Sequence, residues 1–155
     1  MPDEIVPVCA SRNSDPKLRR AIEGLKSVRD LEALPLIWRE SGSGTRTMVE
    51  SVLKDSGVNS RKLDQRFELA SSEAIKSLVM GGLGVGFFSC WDIQQEIAMG
   101  LVRQIKVPGL RIQRMFSWAL SSGELGGLSG DFYQFANSIR SELSAVSVRP
   151  LKEAV

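Results

Sequence analysis

The feature that most restricts the fold of this chain is the order in which two periodicities alternate along it. Apolar runs of strand length are followed repeatedly by stretches whose apolar residues recur every three or four positions, with glycines or hydroxyl residues at the joints. The series opens with a strand over residues 5–10, IVPVCA, in which Pro7 has no N–H to give a ladder and is tolerable only near an edge or a bulge. A polar loop then leads into a short helix over 16–24, opened by Pro16 and closed by Gly24. After a strand over 34–38 comes a helix that gathers Met48, Val49, Val52 and Leu53 on one side, sets Glu50 four residues before Lys54 and stops at Gly57. A strand over 67–69, a helix through Ala74, Ile75, Leu78 and Val79 capped by Ser71-Ser72, and a buried strand over 85–88 come next. A helix over 92–99, a strand over 101–107, a turn at Pro108-Gly109, a strand over 115–120 and a helix over 131–143 end the series. Such alternation predicts an α/β fold: a largely parallel sheet with helices packed on it.

What such a fold can do is limited by what the chain lacks. No histidine occurs among its 155 residues. That removes the commonest general base and metal ligand, excludes Ser-His-Asp and Cys-His catalysis, and argues against metal-assisted hydrolysis. Neither a metal nor a cofactor is expected. Cys9 and Cys90 are far apart and outside any C-x-x-C spacing, so they read as small hydrophobes. The net charge of +2 is too balanced to mark a nucleic-acid surface, and the Arg19-Arg20 pair reads as a solvated helix face. Two acids precede the first apolar residues, no positive leader is present, and no apolar run is long enough to span a bilayer. The expectation is a cytoplasmic protein with no membrane partner.

The segment RESGSGTR, residues 39–46, is the richest in chemistry. A strand feeding a glycine-rich turn and then a helix leaves the N–H groups of Ser43, Gly44, Thr45 and Arg46 free at the positive end of the helix dipole. This is an anion seat, with Gly42 and Gly44 letting a ligand approach the main chain and Ser41, Ser43 and Thr45 adding hydroxyls. The plainer alternative is that Ser43 only caps the helix and the glycines only make the turn. Arg39 and Arg46 can likewise meet an anion or pair with Glu40 and Glu50. A P-loop is excluded, because G-x-x-x-x-G-K-S/T needs a lysine that is absent here.

GGLGVG, residues 81–86, lies between a helix and a strand, the reverse of a dinucleotide fingerprint, and reads as a tight turn. Ser89 and Cys90 follow Phe87-Phe88 at the carboxyl edge of the sheet, where open α/β sheets bind ligands. Trp38 and Arg39 reach the same edge from a neighbouring strand. Core packing is the competing role for Trp38, Trp91 and Trp118.

The blocks LPLIWRESGSGTR, FELASSEAIKSLVMGGLGVGFFS and EIAMGLVRQIKVPGLRIQRMFSWAL, followed by an amphipathic helix, closely resemble the effector-binding domain of LysR-type transcriptional regulators. The resemblance covers residues 5–143 in the family's order and spacing. It implies a fold similar to type II periplasmic binding proteins, in which two α/β lobes are joined by two crossing strands and hold a small effector between them. It implies that Trp38, Arg39, Glu40, Ser41, Ser43, Gly44, Thr45, Phe88, Ser89 and Cys90 form the effector-binding face, and that the effector is a small anionic or carboxylate-bearing metabolite. It also divides the chain: residues 1–29 would be a crossover strand and connecting helix, 30–109 the second lobe, 110–143 the returning crossover strand and C-terminal helix, and 144–155 a tail.

Members of that family begin with a DNA-binding helix-turn-helix and most of a first lobe, so the resemblance implies a truncated, non-enzymatic sensing fragment that meets DNA only through a domain it lacks. The apolar face Phe132, Phe135, Ala136 and Ile139 would then need another partner, which points to a homodimer or higher homo-oligomer. Other readings are a stand-alone anion-binding protein, a partner of full-length regulators, and an enzyme resembling prephenate dehydratase. That enzyme reading suits Thr45-Arg46 but misses the aromatic expected where Thr47 stands.

Overall fold

The computed structural model describes residues 1–12, 15–120, 123, 126–140 and 142. It contains the strands β1 (Pro2–Ala10), β2 (Pro35–Arg39), β3 (Asp64–Leu69), β4 (Val85–Ser89), β5 (Val102–Gln104) and β6 (Ile112–Met115). The α-helices are α1 (Pro16–Glu23), α2 (Gly44–Asp55), α3 (Ser72–Met80), α4 (Cys90–Ala98) and α5 (Gly127–Ser138), with short 3-10 turns at Val28–Ala33 and Ser60–Lys62. All strands join one sheet in the order β3-β2-β4-β1-β5, with β6 also on β1.

β2 is parallel to both β3 and β4, whereas β1 is antiparallel to β4, β5 and β6. The sheet is therefore mixed, with β1 running against all the others. One edge of β1 serves β4 through residues 5–8. Its other edge serves β5 through residues 8–10 and β6 through residues 2–5. β5 and β6 thus lie end to end, and the expected strand over 101–107 breaks where residues 106–111 leave the ladder. Pro7 sits at that break: its carbonyl accepts from the Ile105 N–H at 2.8 Å, so its nitrogen faces the side where the partner chain bulges away.

Alternation along the strands sends residues to two cores. Ile5 and Cys9 of β1, Leu36 and Trp38 of β2, and Val85 and Phe87 of β4 meet Leu18, Ile22, Val49 and Leu53 of α1 and α2. On the opposite face Val6, Val8, Ile37 and Phe88 meet Ile75, Val79 and Ile93 of α3 and α4. The glycines of the 81–86 turn are explained by this packing. Gly82 has φ +77°, a Cβ on Gly84 would lie 2.5 Å from the Pro35 carbonyl oxygen, and one on Gly86 would lie 2.7 Å from the Phe88 ring.

Several boundaries differ from those read in the sequence, β1 starting at Pro2 among them. β3 starts at Asp64, ahead of the expected 67, because an edge strand tolerates exposed polar residues and Asp64, Gln65 and Arg66 are exposed. The strand expected over 115–120 lies earlier, as β6 over Ile112–Met115, and beyond it only Phe116 pairs with β1's end, through its N–H and carbonyl on Met1 at 2.8 and 3.0 Å. α5 starts at Gly127, four residues before the expected 131. Its apolar face is open to solvent: Leu128 is 88% exposed, Phe132 and Phe135 60% each, and Trp118 stands edge-on to Phe132 and Tyr133. The expected helix end at 143 and the tail 144–155 lie outside the described residues.

Candidate effector site

The carboxyl edges of β2, β3 and β4 each hand over to a helix, so the N-termini of α2, α3 and α4 gather at one side of the sheet. There a cleft of about 410 Å³ is lined by Arg39 and Thr45, Ser72 of α3, Phe87, Phe88 and Ser89 of β4, Trp91 and Asp92 of α4, and Arg114 and Phe116 from β6 and just beyond.

At the first turn of α2, Ser43 is a buried N-cap whose hydroxyl accepts from the Arg46 N–H at 3.5 Å. Its carbonyl accepts from the N–H and hydroxyl of Thr47 at 2.9 and 3.0 Å. The Ser43 N–H goes to the Glu40 carbonyl at 3.2 Å, and the Ser41 N–H to the carboxylate of Glu68. Among the described residues, no group accepts from the amides of Gly44 and Thr45. The N-terminal amides are thus partly capped from within and partly open, and a Cβ on Gly44 would meet nothing within 4 Å.

The arginines of this segment are bound internally. Arg46 donates to Glu50 at 2.8 Å, to Glu68 at 2.7 Å and to the Arg39 carbonyl at 3.0 Å, with its guanidinium carbon 5.8 Å from the centre of the Trp38 ring. Arg39 donates Nε and Nη2 to both oxygens of Glu40 at 2.8 and 3.0 Å and Nη1 to the Ser72 hydroxyl at 3.1 Å. These bonds hold the Glu40 and Glu68 carboxyls below the ordinary glutamate range, the Arg39 bond acting on Glu40 and the Arg46 bond on Glu68. They also stabilise the charged form of Arg46, first through Glu50 and then Glu68.

The floor of the cleft is a buried polar chain. Asp3, with a fully buried side chain, accepts from the Ser89 hydroxyl at 2.6 Å and from Arg114 Nε at 2.6 Å. Arg114 Nη1 donates to the Thr45 hydroxyl at 3.3 Å, and its guanidinium lies 4.9 Å from the centre of the Phe116 ring. Ser89 also accepts from the Trp91 N–H at 3.2 Å, capping α4. Behind Asp92 lies buried Lys76, 2.9 Å from Asp92 and 3.2 Å from both Glu73 and Glu96. Burial works against its charge, but the bonds to Asp92, Glu73 and Glu96 win and raise its pKa.

Of the residues singled out in the sequence, Arg39, Thr45, Phe88 and Ser89 line the cleft. Trp38 does not: it is 2% exposed and stacks on Phe87 with ring centres 5.6 Å apart, a core role set by its parity along β2. Glu40 and Ser41 sit outside the lining, Ser43 is buried as a cap, and Gly44 is exposed beside the lining. Cys90 is half-buried, also outside the lining, and burial followed by Glu4 and Asp3 pushes its thiol up to about 11, which makes it a poor nucleophile. Sequence reasoning missed Ser72, Phe87, Trp91, Asp92, Arg114 and Phe116 as lining residues, and Asp3 beneath them. Ser72, Trp91 and Asp92 carried a signal, since each opens a helix at the edge already singled out. Arg114 and Asp3 carried none, because their proximity depends on a strand pairing across the whole chain.

Chemically the cleft offers donors and positive charge balanced nearby. Among the described residues no group of three or more His, Cys, Asp or Glu is placed to hold a metal ion, and no helix is long and apolar enough to cross a membrane.

Comparison with known proteins bears on what such a cleft is. The family model described as "LysR substrate binding domain" matches residues 1–140. The chain is 32% identical over 123 residues to the HTH-type transcriptional regulator CbbR of Rhodospirillum rubrum, covering 79% of this chain and 38% of that protein. It is 40% identical over 80 residues to the HTH-type transcriptional activator CmpR of Synechocystis, covering 52% of this chain and 25% of that one. It thus spans well under half the length of these relatives. Among solved structures, the regulatory domain of Synechocystis CcmR in complex with 2-PG is similar, with a TM-score of 0.71 at 24% identity, covering 90% of this chain and 64% of that one. The regulatory domain of HypT from Salmonella typhimurium follows with a TM-score of 0.62 at 19% identity, covering 92% of this chain and 63% of that one. These likenesses establish the fold as that of LysR regulatory domains, the type II periplasmic-binding-like architecture. The chain belongs to the LysR substrate-binding domain family.

Proposed function

We propose that this chain is the effector-sensing part of a LysR-type regulator, and that the cleft at the start of α2 receives a small anionic metabolite whose binding modulates transcription. The observation that carries this reading is the pair of amides at Gly44 and Thr45, which have no acceptor among the described residues and stand at the positive end of a twelve-residue helix beside the cleft. The Thr45 hydroxyl adds a neutral donor on the same wall. A metabolite related to 2-PG, the ligand of the CcmR regulatory domain, is the first candidate.

In this reading residues 30–109 act as the second lobe, 1–29 and 110–143 contribute the crossover strands and flanking helices, and the site residues are Arg39, Thr45, Phe88 and Ser89 with the open amide of Gly44. The protein works in the cytoplasm as a homodimer or higher homo-oligomer, and it senses without catalysing. DNA is contacted by a helix-turn-helix outside the part of its relatives that this chain matches. Effector binding favours one arrangement of the lobes and so biases the oligomer's hold on DNA. Titration calorimetry with phosphate, sulfate, 2-PG and simple carboxylates tests the proposal: saturable binding of at least one anion supports it, and no heat from any of them at millimolar concentration overturns it.

A further inference from the structure

We infer that Arg114, aimed by the buried carboxylate of Asp3, is a ligand-binding residue of this cleft and takes a single oxyanion group, carboxylate or phosphate, through the N–H groups that its internal partners leave over. The inference rests on reading the cleft as the effector site, and it concerns a residue that neither the sequence pattern nor the α2 seat points to.

The two arginines of the cleft, Arg39 and Arg114, are held differently. A guanidinium has five N–H donors, and its usual bond to a carboxylate is a fork of two parallel bonds. Arg39 is used in that way: Glu40 takes Nε and Nη2 and Ser72 takes Nη1. Arg114 is not. Asp3 touches only its Nε, at 2.6 Å, because the second Asp3 oxygen is committed to the Ser89 hydroxyl at 2.6 Å. Nη1 has one bond, to Thr45 at 3.3 Å, and Nη2 has no acceptor among the described residues. Three N–H groups therefore remain on the edge of a guanidinium that lines the cleft.

That edge is held rigidly. Asp3 and Arg114 are direct partners in the β1–β6 ladder, so the backbone fixes their approach. The Asp3 side chain has no exposure and both of its oxygens are engaged, which leaves it no room to swing. The Phe116 ring supports the guanidinium from one side. Thr45 accepts from Arg114 and so keeps its own hydroxyl proton to give, and a ligand oxygen held by Nη1 and Nη2 is placed to receive it. A ligand without acceptor oxygens would leave these donors unmatched, so the cleft favours a group with two oxygens on one centre. Because Asp3 and Arg114 belong to β1 and β6, which pair side by side, a ligand bound there loads both strands directly.

Two variants test this while leaving the buried charge balanced. Arg114→Lys keeps the cation and a partner for Asp3 but loses the fork, and the double variant Asp3→Asn/Arg114→Gln keeps the shape and the net charge. Affinities for inorganic phosphate and for 2-PG, read by calorimetry, are expected to fall on the order of tenfold or more in both variants while their circular dichroism stays native. Phosphate titration of wild-type protein with 15N-labelled arginine supplies a readout that needs no variant: the Arg114 Nη signals should move. Wild-type affinity in both variants, or Arg114 signals that stay still while phosphate binds, overturns the assignment of Arg114. If binding is lost in Gly44→Asp but survives in both Arg114 variants, this inference fails and the α2 seat stands. If wild-type protein binds neither anion, both fall.

Discussion

Replacing Gly44 with aspartate should move folding stability and anion binding in opposite directions. Gly44 is the first residue of α2, its φ is not positive, and a side chain there meets no protein atom within 4 Å. The fold has no steric reason to resist the change. A carboxylate in the first turn of a helix interacts favourably with its dipole, by about 0.3–1 kcal/mol, and removing glycine from a helix helps further. For a bound oxyanion the sign is reversed: two like charges about 5 Å apart at an effective dielectric of about 20 repel by about 3 kcal/mol, roughly a 200-fold loss of affinity. A ligand at a hundred times its Kd stabilises the native state by about 2.7 kcal/mol, which for a chain of this size raises the melting midpoint by about 5–10 °C. After a 200-fold loss the same concentration contributes only about 0.2 kcal/mol, a shift below about 1 °C. Thermal melts of both proteins with and without 2-PG or phosphate give all four numbers. A Gly44→Asp protein that is no less stable than wild type but has lost its ligand-induced shift is the expected result. A full shift in the variant would refute the reasoning, because the ligand would then lie away from the first turn of α2.

Stability should also fall in acid. The folded pKa values of Glu40 and Glu68 are depressed, so the stability they contribute is complete above the ordinary glutamate value of 4.5 and is lost as pH falls through their lower folded values. Glu40→Gln combined with Glu68→Gln should flatten the melting midpoint against pH below 4.5, and an unaltered slope would assign the acid loss elsewhere. Gly86→Ala places a methyl 2.7 Å from the Phe88 ring and 3.0 Å from Val79, and should cost about 1–3 kcal/mol in urea denaturation, with an unchanged midpoint counting against that packing. The open apolar face of α5 predicts self-association: light scattering should show a dimer or larger species that Phe132→Asp shifts toward monomer, and a wild-type monomer at high concentration would contradict it.

How much of this could be read in the sequence depended on how local the physics was. β2, the turn and α2 were legible because an apolar run, two glycines and a capping serine lie within a dozen residues and each constrains the next. The use of Arg46 by Glu50 was likewise visible as a pairing of neighbours on a helix, although its second bond, to Glu68 of an edge strand, was not. Trp38 was drawn toward the cleft by its nearness to Arg39, whereas strand alternation sends these two residues to opposite faces. The beginning of β1 was masked by its charges, since PDE reads as a polar terminus. Yet Asp3 is buried at the centre of the site because β6 brings Arg114 beside it from 111 residues away. The direction of β1 was also hidden: periodicity tells strand from helix but says nothing of which way a strand runs.

The claim on which the functional account rests is that an anion sits on the amides opening α2. An amide-resolved NMR titration of 15N-labelled protein with 2-PG or inorganic phosphate tests it most directly. Gly44 and Thr45 are expected to show the largest saturable shifts. Saturable shifts centred on the opposite groove, around Glu4 and Val107, with Gly44 and Thr45 unmoved, would contradict it.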